Sequence, residues 1–183
     1  MSFQGKPTRS ISLKMKGFDV TSFGKENRPS RNLDLLEELC VRYISTSDLS
    51  IREVAKRFGP FDLMFEATGY SPEVFEAMEC LGKYGVLVLA SVAGGDREHS
   101  VPEDKINLDF VLGNKLVVGT VNANREYFEA GVYDFARAEL ESPGWLTKLL
   151  THPVTGLENY QKMMQTLTTE GGAIKVFVNV AYE

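Results

Sequence analysis

Short apolar runs alternate with amphipathic stretches from Phe18 onward, and this alternation constrains the fold more than any other feature of the chain. It is the pattern of a parallel sheet whose strands are joined by crossover helices. Residues 18–23 read as a strand closed by Gly24. Leu33, Leu35, Leu36 and Leu39 give a short helix whose acidic side carries Asp34, Glu37 and Glu38. Residues 41–44 form a brief second strand. Ser50 and Glu53 stand three apart and predict a capping box for a helix over residues 51–58, since each side chain satisfies the other's free backbone N–H. Gly59-Pro60 ends that helix.

Residues 61–67 (FDLMFEA) read as a strand running into Thr68-Gly69. Ser71 is the expected N-cap of the next helix, with Pro72 in the first turn, where it has no hydrogen bond to lose. Val74, Phe75, Met78 and Leu81 form its apolar stripe, and Gly82 is expected to end it. Residues 86–90 (VLVLA) are a continuous apolar run suited to burial on both faces. A polar loop over residues 93–103, a short helix around Ile106–Leu112 and a fifth strand over residues 116–121 follow. Asn124 is a predicted helix cap. Residues 125–140, 143–150 and 157–167 read as helices, and residues 173–180 as a last strand. Ile11, Leu13 and Met15 alternate with polar residues, so this segment suits either a strand or a helix end.

Composition narrows the functional classes. The 183 residues are 43% hydrophobic and 25% charged, enough apolar material for a packed core. Twenty basic against 25 acidic residues give a net charge of -5, so no basic field marks a nucleic-acid partner. No apolar run approaches the ~20 residues of a membrane span, and the first residues lack the apolar core of a signal peptide. The chain therefore reads as soluble and cytoplasmic. Cys40 and Cys80, with no CxxC spacing, read as reduced core thiols. His99 and His152 are too isolated for a zinc site, and no metal ligands are expected. His99 is expected to be exposed. Asp62 and Glu66 share a strand face, but nothing joins them to a nucleophile or metal.

Three stretches carry a family resemblance: residues 61–69 (FDLMFEATG), the apolar strand into Ala90-Ser91, and residues 113–124 (GNKLVVGTVNAN). From Gly17 on, the chain resembles the cofactor-binding half of the medium-chain glucose dehydrogenases. These are NAD(P)-dependent oxidoreductases that oxidise the anomeric hydroxyl of an aldose with the help of a zinc-bearing catalytic domain. The resemblance implies a single Rossmann-like domain, a doubly wound parallel sheet, with residues 1–16 as an atypical leading segment. The sequence holds no GxGxxG and no GxG, so the usual first strand and the glycine-rich turn that holds a pyrophosphate are expected to be lacking.

The resemblance also implies a site. Gly24, Lys25 and Arg28 follow the strand whose end selects between NAD and NADP, and two cations there suit a 2′-phosphate, with Glu26 as the opposing charge. A solvated polar turn is the competing reading. Thr68, Gly69, Ser91 and Val92 correspond to residues lining the nicotinamide side, with a tight strand-to-helix turn as the competing reading of Thr68-Gly69, and Asn122 corresponds to one near nicotinamide and sugar. Lys175 resembles a family lysine near the cofactor phosphates, and equally suits a solvent-facing position on an alternating strand. The family's zinc ligands have no counterpart in this sequence, so no catalytic residue is assigned and hydride transfer by the chain alone is not expected. The partners implied are a complementary catalytic domain and further copies of the chain.

Overall fold

The computed structural model describes residues 6–25, 30–169 and 173–180. Along the chain it runs α1 (Lys6–Met15), β1 (Thr21–Gly24), α2 (Arg31–Glu38), β2 (Arg42–Ser45), α3 (Ile51–Phe58), β3 (Phe61–Glu66), α4 (Ser71–Cys80) and β4 (Leu81–Leu89). It continues with α5 (Glu103–Gly113), β5 (Leu116–Gly119), α6 (Arg125–Glu141), α7 (Trp145–Leu149) and β6 (Leu150–Thr155). A 3₁₀ turn over Leu157–Asn159, α8 (Tyr160–Thr169) and β7 (Lys175–Asn179) complete it. The chain divides into two compact units, a continuous one over Thr46–Asn122 and a discontinuous one made of Ser2–Ser45 with Ala123–Glu183.

In the continuous unit β3, β4 and β5 form one parallel sheet in that order. Glu66 pairs with Leu89 and Leu89 with Gly119, so the three strands end level with one another. α4 and α5 are the crossovers. Ala77, Leu81 and Leu87 form the core, with Met64, Met78, Leu89, Phe110 and Val117 packed against it. Leu87 is fully buried, which contributes about 1.5–3 kcal/mol. The Ser50–Glu53 capping box is present at α3, and Gly59 leaves the helix at φ +95°, a conformation that favours glycine.

Several boundaries differ from the sequence reading: β1 begins at Thr21 rather than Phe18, β5 ends at Gly119 rather than residue 121, α5 begins at Glu103, and α4 and β4 meet elsewhere than expected. Leu81 belongs to β4 rather than to the stripe of α4, and Gly82 does not end that helix. The extra length enters through a bulge, with the register shifting between Phe61 and Leu63 and Tyr84 at φ +59°. A Cβ on Gly85 would lie 3.1 Å from the Phe61 carbonyl oxygen, so only glycine lets the strands close up there. Ser71 is the first residue of α4, not its cap. Tyr70 holds the cap position without a side-chain bond.

The discontinuous unit contains two parallel pairs, β1 with β2 and β6 with β7. Residues 11–15 are helical. Ile11 and Met15, four apart and so on one helix face, pack on a cluster of Leu35, Ala138, Trp145, Leu149 and Ile174. Leu13 meets a second cluster of Val20, Leu33, Leu36 and Val41, which accounts for an alternation that also reads as a strand. Asn124 caps α6 by accepting the Tyr127 N–H at 3.0 Å, as expected. β6 has no counterpart in the sequence reading, because Pro153 lies within it and proline in an apolar run argues against a paired strand. Cys80 is buried, as expected, and burial is the main cause that pushes its thiol up to about 11. Cys40 is exposed at the end of α2, at φ +53°, and is not a core thiol.

Candidate functional site

The level strand ends gather most of the expected residues. Two positions beyond Glu66, Leu89 and Gly119 come Thr68, Ser91 and Val121; three positions beyond come Gly69, Val92 and Asn122. The ladder continues past the strands, with the Ala90 N–H donating to the Glu66 carbonyl and the Thr120 N–H to the Leu89 carbonyl, each at 2.9 Å. This is the carboxyl edge of a parallel sheet, where open α/β folds bind their ligands. Thr68, Val92 and Asn122 are exposed, and Gly69 and Ser91 are half-buried.

Gly69 sits at φ +64°, and a Cβ there would lie 2.9 Å from both Ser91 Oγ and the Val92 carbonyl oxygen. The Thr68–Gly69 turn and the Ser91–Val92 segment are therefore in direct contact, and the glycine is required by conformation and by space. Glu66, which the sequence reading set aside as an acid or base, organises this turn. Its side chain is buried, and one carboxylate oxygen accepts from the Thr68 N–H, the Thr68 hydroxyl and, at 3.1 Å, the Gly69 N–H. The Thr68 oxygen in turn accepts the Tyr70 N–H at 3.0 Å. A carboxylate two residues before a Thr-Gly turn is the sequence signal for this role.

The donor chemistry can be tested against a dinucleotide. The only proton of the Thr68 hydroxyl goes to Glu66, so toward a ligand that oxygen can only accept. The turn N–H groups are engaged by a carboxylate and do not form an anion nest. Asn122 carries an amide that both donates and accepts. This set fits the neutral carboxamide and ribose end of a dinucleotide, and not its phosphates.

The remaining expected residues lie in the discontinuous unit. Gly24 is the last residue of β1, paired with Ser45 and not among the positive-φ glycines; Lys25 follows it, exposed. Arg28 and Glu26 lie outside the described residues. Lys175 is exposed at the first position of β7, where Thr151 Oγ accepts its backbone N–H at 3.3 Å. His99 is exposed in the loop after β4, as read from the sequence, and the neighbouring Arg97 guanidinium stacks 5.1 Å from the Tyr70 ring centre. Asp62 is exposed, so it and Glu66 form no pair. Among the described residues no group of three or more His, Cys, Asp or Glu side chains could hold a metal, and no helix is long and apolar enough to cross a membrane.

Comparison with known proteins gives this edge a family. The family described as "Glucose dehydrogenase C-terminus" matches residues 9–180. The chain is 35% identical over 170 residues to glucose 1-dehydrogenase 1 of Haloterrigena turkmenica, covering 92% of this chain and 45% of that protein. It is 31% identical over 171 residues to glucose 1-dehydrogenase of Methanocella arvoryzae, covering 93% of this chain and 46% of that one. In fold it is similar to the Haloferax mediterranei glucose dehydrogenase solved in complex with NADP, Zn and gluconolactone. There the TM-score is 0.83 at 24% identity, over 97% of this chain and 48% of that one. The chain thus spans about half the length of the relatives it matches. It belongs to the glucose dehydrogenase C-terminal family and is homologous to medium-chain glucose 1-dehydrogenases.

Proposed function

We propose that this chain is the cofactor-binding portion of an NAD(P)-dependent glucose or aldose dehydrogenase, with the dinucleotide lying along the carboxyl edge of β3-β4-β5. The observation that carries the reading is the convergence of Thr68, Gly69, Ser91, Val92 and Asn122 on one level edge, in a chain of this family. Bound NAD(P) supplies the hydride acceptor. The residues of this chain bind and orient it: Thr68 accepts from the carboxamide, Ser91 and Val92 form the floor, and Asn122 bridges carboxamide and sugar. The family resemblance, rather than any geometry, assigns the 2′-phosphate to Lys25 and Arg28, favouring NADP over NAD, and the phosphates to Lys175. Oxidation of the sugar requires a complementary zinc-bearing catalytic portion.

A thermal-shift titration with NADP, NAD and ATP tests the reading. Ligand at a hundredfold excess over its dissociation constant stabilises by about 2.7 kcal/mol, several degrees for a chain of this size. NADP is expected to raise the midpoint and ATP to leave it unchanged, and Lys25→Ala to weaken NADP more than NAD. No shift with either dinucleotide would overturn the reading.

A second reading, a non-catalytic assembly module, is favoured by β5. This strand pairs only with β4 among the described residues and exposes Leu116 and Val118, and an open apolar edge is a surface for association. A stable oligomer indifferent to dinucleotide would favour it, and a monomer at micromolar concentration would remove it.

A further inference from the structure

We propose that Glu66 is the positioning residue of this edge. Its carboxylate clamps the Thr68–Gly69 turn, and its charge admits the neutral carboxamide-and-ribose end of a dinucleotide there while refusing a phosphate. The inference rests on the proposed function and adds the residue that holds the nicotinamide end of that site in place. A strand end followed by free N–H groups and the start of a helix ordinarily attracts anions. Here the Thr68 and Gly69 N–H groups and the Thr68 hydroxyl already converge on one buried oxygen of Glu66, ahead of α4. The protein supplies its own anion, and a phosphate arriving at the turn meets like charge, with the Thr68 and Gly69 N–H groups and the Thr68 hydroxyl already engaged. The clamp also fixes which way the Thr68 hydroxyl points. Because Gly69 leaves no room for even a Cβ beside Ser91 Oγ and the Val92 carbonyl, a turn that relaxes displaces the neighbouring segment as well. Glu66 therefore acts through Thr68, Gly69 and Ser91 and need not touch the ligand.

The test compares Glu66→Ala, Glu66→Asp and Glu66→Gln with the unsubstituted chain, using NADP and 2′,5′-ADP as separate probes. The second probe lacks the nicotinamide end. Glu66→Ala is expected to weaken NADP about tenfold or more, roughly the loss of one charge-assisted hydrogen bond, and to leave 2′,5′-ADP unchanged. Glu66→Asp, which keeps the charge but withdraws it by one methylene, is expected to do the same, and it carries the test if Glu66→Ala does not fold. Glu66→Gln, whose amide oxygen can still accept from the turn, is expected to restore NADP affinity to within a few fold. Inorganic phosphate should slow hydrogen exchange at the Thr68 and Gly69 amides in Glu66→Ala and not in the unsubstituted chain. An equal loss for both probes in a folded variant means a structural role alone and overturns the inference, as does unchanged NADP affinity in Glu66→Ala or Glu66→Asp. Failure of the unsubstituted chain to bind NADP overturns the underlying reading together with it.

Discussion

The two units divide the work unevenly. The discontinuous unit carries two apolar clusters, one around Ile11, Leu35, Trp145 and Ile174 and one around Val20, Leu33, Leu36 and Val41, yet among the described residues its strands form only two-stranded pairs. The continuous unit has a smaller apolar core around Ala77, Leu81 and Leu87, but a three-stranded sheet with level ends. It adds a polar brace: the Glu79 carboxylate on α4, its side chain 9% exposed, meets Arg52 of α3 at 2.6 Å and Lys105 of α5 at 2.9 Å. One region is held by packing. The other is held by strand pairing and charge, which leaves its strand ends polar and available to a ligand.

Substitutions separate the two modes. Trp145→Ala should cost about 3–5 kcal/mol, read by chemical denaturation followed by circular dichroism, with exchange protection lost chiefly in the discontinuous unit. Trp145→Phe should cost far less, because the indole Nε1 is buried with no partner among the described residues and its removal relieves an unsatisfied donor. A large loss with Trp145→Phe would break the packing account.

Glu79→Ala should cost about 2 kcal/mol, less than for a fully buried pair because Arg52 and Lys105 are half exposed. Burial pushes the Glu79 carboxyl up, but the hydrogen bonds from Lys105 and Arg52 outweigh it and hold the group below its ordinary value of 4.5. A depressed folded value means that this contribution is present above pH 4.5 and fades as pH falls through the lower folded value. Denaturation of the wild type between pH 6 and pH 3, set against Glu79→Ala, should show the two curves converging at the acid end.

Gly69→Ala should cost about 1–2 kcal/mol through its positive φ and its contact with Ser91 and Val92, and should lower NADP affinity as well. Unchanged binding in that variant would separate the turn from the site. Asn124→Ala, which removes the α6 cap, should cost about 1 kcal/mol and leave dinucleotide affinity unchanged, sharpening the contrast between scaffold and edge.

What was legible in the sequence follows from the range of each signal. The Ser50–Glu53 box and the Asn124 cap are short-range chemistry, and both appear where the spacing predicts them. The strands of the continuous unit are legible because 86–90 is an unbroken apolar run and 61–67 is one broken only by Asp62 and Glu66, each set off by glycine nearby. β6 was hidden because Pro153 and a single well-buried apolar residue, Val154, make a poor strand signal; its partner β7 supplies the order. The helix at residues 11–15 was ambiguous because Ile11 and Leu13 face different clusters. Thr68, Gly69, Ser91 and Asn122 were found through strand ends, whereas the role of Glu66 depends on a turn geometry that no periodicity encodes.

The most direct test of the account is hydrogen exchange across the chain with and without saturating NADP. The account predicts slowed exchange at Gly69, Ser91, Val92 and Asn122, with the helix α6 after Asn124 unchanged. Slowing confined to other segments, or none at all under conditions where NADP is bound, would contradict it.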